Sequence, residues 1–539
     1  MTSKQKSDEP MTEKLEKKQR FWFNYSTKDN KLWSWLGYSK DKDSSEEKEE
    51  PSQEEVLVQE DPVHDTEEHT QREPVQEDAE SSRKKSTSWM SLFSNTTTTE
   101  LDNTTESASV IKRPNQRNVV LPTFESQFAA KDDNLLIKAF NIIKSTLFTA
   151  PLDLMKQNIQ AKKIVIVGVH GWFPMKLVRS MVGEPTGTSH KFCEQMKNAT
   201  KNYFLNQHQL EIPDGSIITI PLFWEGKIQE RVDKFEQQIK DEWAECLKTA
   251  DIILWATHSQ GTPVSVILMH RLIKSGLIRP HQQLICMLAM AGISHGPFPT
   301  IKGNLLVKYF EADAARELFE FMDSESDISC VYRDSLAFVL DHPIKVVLVG
   351  SMQDQVVPLY SAIMSGLTHP NLLRAIYIDG HIYSPDDFLI RLIAFALQLL
   401  NLGLSDHGFL IHISDVLAGN LYSFEGGGHS TLYEELDVFT LPLKYLFETH
   451  PLGLFQRTLI DPQAVVQKAR LDRFQAKLKL NPFHLPWAMR GIWDDPKIMK
   501  NQQLREELEQ LQTLFDDWNP ASARLKEIKF RLEPLKARL

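Results

Sequence analysis

Ile252-Ile-Leu-Trp-Ala-Thr-His-Ser-Gln-Gly-Thr-Pro263 is the stretch on which the fold turns. A short apolar run ends in Thr257-His258-Ser259-Gln260-Gly261, and an apolar helical pattern follows from Val264 to Leu272. Strand, tight turn and helix with a serine at the apex is the arrangement that lifts a serine oxygen off a sheet as a nucleophile. Gly261 leaves room for the following helix to pack closely, while Thr257 stands where a G-x-S-x-G motif has its first glycine. A degenerate five-residue match is a weak signal by itself. Its weight depends on whether the rest of the chain supplies the chemical partners in the right order.

On either side of this stretch, apolar runs alternate with helix-length segments. Lys163 to Val169 is nearly continuous in apolar residues, as a buried parallel strand requires. Further strands are predicted at Ser216–Leu222, Leu284–Met290, Lys345–Val349 and Leu373–Ile378, with helices at His190–Tyr203 and Ile228–Lys248. The predicted class is α/β, with a mostly parallel central sheet flanked by helices. The catalytic body is expected over 121–450, interrupted by two helical, lid-like insertions at 298–343 and 386–422. The second holds Phe388 to Leu404, 17 apolar-rich residues that include Arg391. That is short of the roughly 20 needed to cross a bilayer. Asp387, Arg391, Gln398 and Asn401 fall on one narrow stripe of that helix. It suits a lid over an acyl pocket, a membrane-contact face or a plain buried helix. Residues 451–539 read as a helical appendage. Leu504, Leu508, Leu511, Leu514, Phe515 and Trp518 share one face there, and after Pro520 a basic segment places Leu525, Ile528 and Leu532 together. Packing against the body is favoured over membrane binding, and the appendage is also the natural place for a protein partner.

The net charge of −11 misleads until it is divided. Between Asp41 and Glu80 stand 17 acidic and 3 basic residues, a local −14 that leaves the remainder at +3. Such a near-neutral body excludes a nucleic-acid-binding surface. Residues 1 to about 120 read as disordered, being rich in Lys, Glu, Ser, Thr and Gln with little apolar content. Aromatic islands interrupt them at Phe21–Tyr25, Leu32–Leu36 and Trp89–Phe93. The first two lie in a locally basic segment, which suits contact with a membrane interface or a partner-binding linear motif. Asn134 to Gln160 reads as an amphipathic helical stretch leading into the body. Four widely spaced cysteines, without a C-x-x-C pair, argue against structural zinc and disulfides and suit a reducing compartment. With no secretory pattern visible, the expected location is cytoplasmic, with peripheral contact to an intracellular membrane.

Ser259 as nucleophile needs a general base, an acid to orient that base, and donors for the developing oxyanion. Asp354 sits in Gly350-Ser-Met-Gln-Asp-Gln-Val-Val-Pro358, just past a strand end, where an orienting carboxylate would stand. The rival for Asp354 is a simple turn residue. Among the histidines after the last strand, His429 in Glu425-Gly-Gly-Gly-His-Ser430 is the preferred base, and His381 is the runner-up. Three glycines let the backbone carry an imidazole over the sheet edge. Oxyanion donors are expected from the backbone N–H groups of Gln260 and Trp172, with His170-Gly171 supplying the turn that aims the second.

His170-Gly171, His258-Ser259-Gln260-Gly261, Ala291-Gly-Ile-Ser-His-Gly-Pro297, Asp354 and Gly428-His429-Ser430 recur in an order that resembles the α/β-hydrolase superfamily. The likeness, over about 160–450, is to its lipase/esterase-like branch and to fungal intracellular members of unassigned substrate. The resemblance implies an eight-stranded, mostly parallel sheet and a Ser-Asp-His triad, the machinery for hydrolysing carboxylic esters. Lipid acyl esters are the expected substrates, on the strength of the apolar segment 388–404 and the aromatic N-terminal islands. The resemblance implies no metal and no organic cofactor. Two alternatives share these residues: a non-catalytic hydrolase-fold scaffold that binds partners through its tails, and an acyl or thioester transferase.

Overall fold

The computed structural model describes residues 117–128, 161–172, 187–299, 312–381, 383–417, 428–449, 470–471, 484–520 and 523–533. The chain divides into two units, Met1–Lys84 and Lys85–Leu539, and every described residue belongs to the second. The aromatic islands, the acidic stretch and the helical pattern Asn134–Gln160 lie outside the described residues.

The strands are β1 (Val119–Leu121), β2 (Ile164–Val169), β3 (Ile217–Leu222), β4 (Ile252–His258), β5 (Leu284–Met290), β6 (Ile344–Ser351), β7 (Leu367–Thr368), β8 (Leu372–Ile378) and β9 (Arg470–Leu471). Seven form one sheet in the order β1-β8-β6-β5-β4-β2-β3, and β7 pairs separately with β9. Among the described residues the sheet therefore has seven strands, against the eight implied by the resemblance. Only β1 runs antiparallel within it.

The principal helices are α1 (Gly187–His208), α2 (Ile228–Gln238), α3 (Gly261–Lys274), α4 (Asp327–Leu340), α5 (Phe388–Asn401), α6 (Phe409–Leu417), α7 (Leu436–Glu448), α8 (Leu485–Asp494), α9 (Gln502–Asp517) and α10 (Ala523–Arg531). Val165, Val167, Val169, Ile253 and Trp255 pack on one face of the sheet with α2, α3 and α4. Ile164, Ile166, Ile252, Leu254 and Ala256 pack on the other with α1 and α7. Both faces are covered, which is why these strands are apolar throughout instead of alternating. Strand order reverses between β2 and β4, so the loops leaving their carboxyl ends lie side by side. Such a switch point is where open α/β sheets hold their ligands.

The segment read as the insertion 298–343 contains α4, which packs on α3 and β6 and returns the chain from β5 to β6. From 386 to 422, the apolar helix is α5, buried along nearly its whole length. β8 lies under it, and α9 closes over it: Phe388 meets Phe515 with ring centroids 5.2 Å apart, among Leu504, Leu508, Leu511 and Ile528. Of its polar stripe, Gln398 and Asn401 are buried while Arg391 stays partly exposed. Asn401 accepts from Arg374 N at 2.8 Å and donates to Arg374 O at 2.9 Å. The amide thus stands in for a neighbouring strand just where β1 stops. A helix covered on both sides is neither a lid nor a membrane face, which corrects those two readings. Fully burying each Leu or Phe here contributes about 1.5–3 kcal/mol, so the appendage and α5 stabilise one another. Among the described residues, no helix is long and apolar enough to cross a membrane.

Candidate active site

Ser259 stands between β4 and α3 with φ of +54°, a backbone region that costs an L-residue about 1–2 kcal/mol. Three backbone bonds hold it there: Ser259 N donates to Met290 O at 3.0 Å, while Ser259 O accepts from Thr262 N at 3.0 Å and Ile293 N at 3.3 Å. The turn is possible because its neighbours are small. A Cβ at Gly261 would lie 2.6 Å from the carbonyl oxygens of Val169 and His170 and 2.7 Å from Thr257 Oγ1. Thr257 is accommodated at the usual glycine position by this missing side chain.

Asp354 follows β6 and is buried. Its Oδ1 accepts from Val356 N and Val357 N, both at 2.8 Å, and its Oδ2 lies 2.8 Å from His429 Nδ1. The turn residue and the histidine partner are therefore the same carboxylate, one oxygen for each role. Gly428 allows the approach, since a Cβ there would fall 2.3 Å from the carbonyl oxygen of Gln353. His429 is buried, and with Nδ1 held by Asp354 its Nε2 is the ring nitrogen left for proton transfer. Ser259 and His429 share no direct hydrogen bond; His258 links them. His258 Nε2 lies 2.8 Å from His429 O, and the two rings are 4.5 Å apart. In apo sites the hydrogen bond between a nucleophile and its base is often not yet formed and tightens only when substrate binds.

Gly171 passes directly over the serine: a Cβ there would be 2.8 Å from Ser259 Cβ and 3.2 Å from His258 O. His170 is anchored beside it, its N–H donating to Ser189 Oγ at 3.1 Å and its Nδ1 2.5 Å from Gly171 O. Burial, reinforced by the nearby Arg231 charge, holds the His170 imidazole well below its usual pKa. Burial does the same for His258, helped by His429. Gln260 is the residue that caps α3, so its N–H has no acceptor within the helix. Trp172 packs against the α2–α3 core, and its indole Nε1 is buried without a partner among the described residues. His381, by contrast, is exposed in the turn after β8, where its N–H donates to Asp379 Oδ1 at 2.8 Å. No described contact brings it to Ser259 or Asp354.

Two residues of this site carry no role that the sequence suggests. His258 gave no sign beyond its position in the elbow. Arg231 did give one: it recurs with Ile228, Val232 and Phe235 on the apolar face of α2, an unusual place for a charge.

Residues 121–496 match the model of the YMC0/YMC35 alpha/beta hydrolase domain. The chain belongs to the YMC0/YMC35 alpha/beta-hydrolase family. No curated protein matches this YMC0/YMC35-type chain by sequence. Among solved structures, it is similar to phospholipase PlaB from Legionella pneumophila, at 17% identity and a TM-score of 0.27, over 38% of this chain and 44% of that one. It is also similar to a structure of the metagenome-derived lipolytic enzymes LipS and LipT (12%, 0.24, over 43% and 93%). Est1E from Butyrivibrio proteoclasticus is a third (15%, 0.23, over 45% and 88%). The chain spans less than half the length of PlaB. None of the three adds to what membership of the YMC0/YMC35 family establishes, which is an α/β-hydrolase fold with its sheet, flanking helices and helical C-terminal region.

Proposed function

We propose that the protein is a serine hydrolase of carboxylic esters. The observation that carries this reading is the buried Asp354–His429 contact at 2.8 Å beside a serine held at φ +54°. Ser259 Oγ attacks the ester carbonyl while His429 Nε2 takes its proton and returns it to the leaving alcohol. Asp354 holds Nδ1–H and so fixes the imidazole's tautomer and orientation. The N–H groups of Gln260 and Trp172 receive the negative charge that develops on the carbonyl oxygen, the term that usually lowers the barrier most. Water then attacks the acyl-enzyme with His429 acting again as base.

Lipid acyl esters are the proposed substrates, and the support for them is the set of aromatic islands in the basic N-terminal segment. The buried helix α5 lends them none. Turnover of p-nitrophenyl esters of increasing acyl length, and of phospholipid and acylglycerol vesicles, tests both parts. Hydrolysis that rises with chain length and vanishes in Ser259→Ala is expected. Equal activity in Ser259→Ala would overturn the mechanism, and turnover confined to short soluble esters would overturn the lipid preference.

A further inference from the structure

Arg231 is completely buried, yet it belongs to no step of the proposed mechanism. Its Nη2 donates to His170 O at 2.8 Å, and its Nη1 donates to Gln260 Oε1 at 2.8 Å. These acceptors lie on two different segments. His170 begins the loop that leads through Gly171 to Trp172, and Gln260 directly follows the elbow serine. The Gln260 amide then donates from Nε2 to Gly226 O at 3.1 Å, tying the elbow to the loop that enters α2. One side chain thereby joins both segments that carry the candidate oxyanion donors.

We infer that Arg231 is a positioning residue that fixes the separation of the Trp172 and Gln260 N–H groups. The inference rests on the hydrolase reading and deepens it. A buried guanidinium is costly to desolvate, and an apolar side chain of similar size would join α2 to the sheet at least as well. What an apolar side chain lacks is direction. The planar fork holds two acceptors at fixed angles, which a hydrophobic contact leaves free to slide. Direction is what an oxyanion site needs, since donors misplaced by about an ångström lose much of their effect on the transition state. Glu225 nearby helps keep the guanidinium charged against the penalty of burial. Gly226, at φ +141°, leaves room for the loop beside Glu230, where a Cβ would lie 2.7 Å from Glu230 Oε2.

The test compares the full-length wild type with Arg231→Met, Arg231→Lys, Gln260→Ala and the double variant Arg231→Met/Gln260→Ala. Two quantities are read: steady-state turnover of a soluble p-nitrophenyl ester, and affinity for a trifluoromethyl ketone, which binds as a tetrahedral adduct. Arg231→Met should lower kcat roughly 10²-fold with KM unchanged, and ketone affinity should fall in parallel. Arg231→Lys should lie between it and the wild type. The double variant should lose less than the product of the two single losses, because the two residues share one bond. An Arg231→Met protein with wild-type kcat, or with lowered kcat and unchanged ketone affinity, overturns the positioning role alone. If Arg231→Met does not fold, Arg231→Lys and Gln260→Ala are read by the same split. A wild type that neither turns over ester nor binds the ketone removes the hydrolase reading, and this inference with it.

Discussion

His258 donates its Nε2 proton to the backbone carbonyl of His429 across 2.8 Å, so the residue before the elbow serine holds the loop that carries the candidate base. The acceptor is a carbonyl, which fixes the tautomer: Nε2 bears the proton, and Nδ1 is a buried nitrogen without a partner among the described residues. Replacing His258 by alanine leaves the His429 carbonyl unpaired beside a void. We expect His258→Ala to lose about 2–4 kcal/mol of stability. We expect His258→Gln, whose amide can still donate, to recover part of it. In both, kcat should fall more than KM rises, read by chemical denaturation and ester kinetics on the same preparations. Unchanged kcat in folded His258→Ala would show that the link to His429 has no bearing on the chemistry.

The two oxygens of Asp354 predict two separable losses. Asn at this position keeps an Oδ1 for the Val356 and Val357 N–H groups, but it places an amide donor against His429 Nδ1. Asp354→Asn should therefore keep nearly all its stability while losing about 10⁴-fold in kcat, the penalty of a wrong histidine tautomer. Asp354→Ala should lose the turn as well, at a further cost of about 1–3 kcal/mol. A pair of variants with equal melting temperatures would contradict this division of labour.

Stability should depend on pH through the buried imidazoles. His258 and His170 are neutral in the folded protein, held well below their ordinary range chiefly by burial. The unfolded chain takes up these protons below pH of about 6.5. Their contribution is therefore complete above that pH and is lost as pH falls toward the depressed folded values, by up to about 1.4 kcal/mol per pH unit and group. Asp406 and Glu317, raised by burial, act in the opposite sense. The informative quantity is thus the wild type minus His258→Gln. That difference should shrink between pH 7.5 and 5, and a difference that stays constant would contradict the assignment.

Six strands were legible because buried parallel strands announce themselves as largely apolar runs, as Ile164–Val169 and Ile252–Ala256 do. β1 was not legible: three residues that pair only with the end of β8 leave no periodicity to read. For α5, an apolar helix with a polar stripe reads the same whether a lipid, a pocket or another helix covers it. Only the fold reveals that Leu504 to Phe515 do so. Asp354 and His429 could be picked from their positions after strands, but His258 could not, since its role comes from a contact across 171 positions in the chain.

The helical appendage is bound into the core by this burial. Leu508 is fully enclosed in the cluster shared with α5, so Leu508→Ala should cost about 2–5 kcal/mol. Removing residues 502–539 should expose the apolar face of α5 and yield an aggregating protein. A soluble, cooperatively folding truncation, assessed by thermal melting and light scattering, would mean that the C-terminal helices are separable.

The proposed hydrolysis depends most on Ser259 being the nucleophile. A labelled fluorophosphonate should attach to one residue of the full-length protein, and peptide mass mapping should find the adduct on Ser259. Ser259→Ala and Asp354→Asn should show no labelling and strongly slowed labelling, respectively. Labelling of Ser259→Ala at the wild-type rate, or an adduct mapped to another residue, would contradict the account.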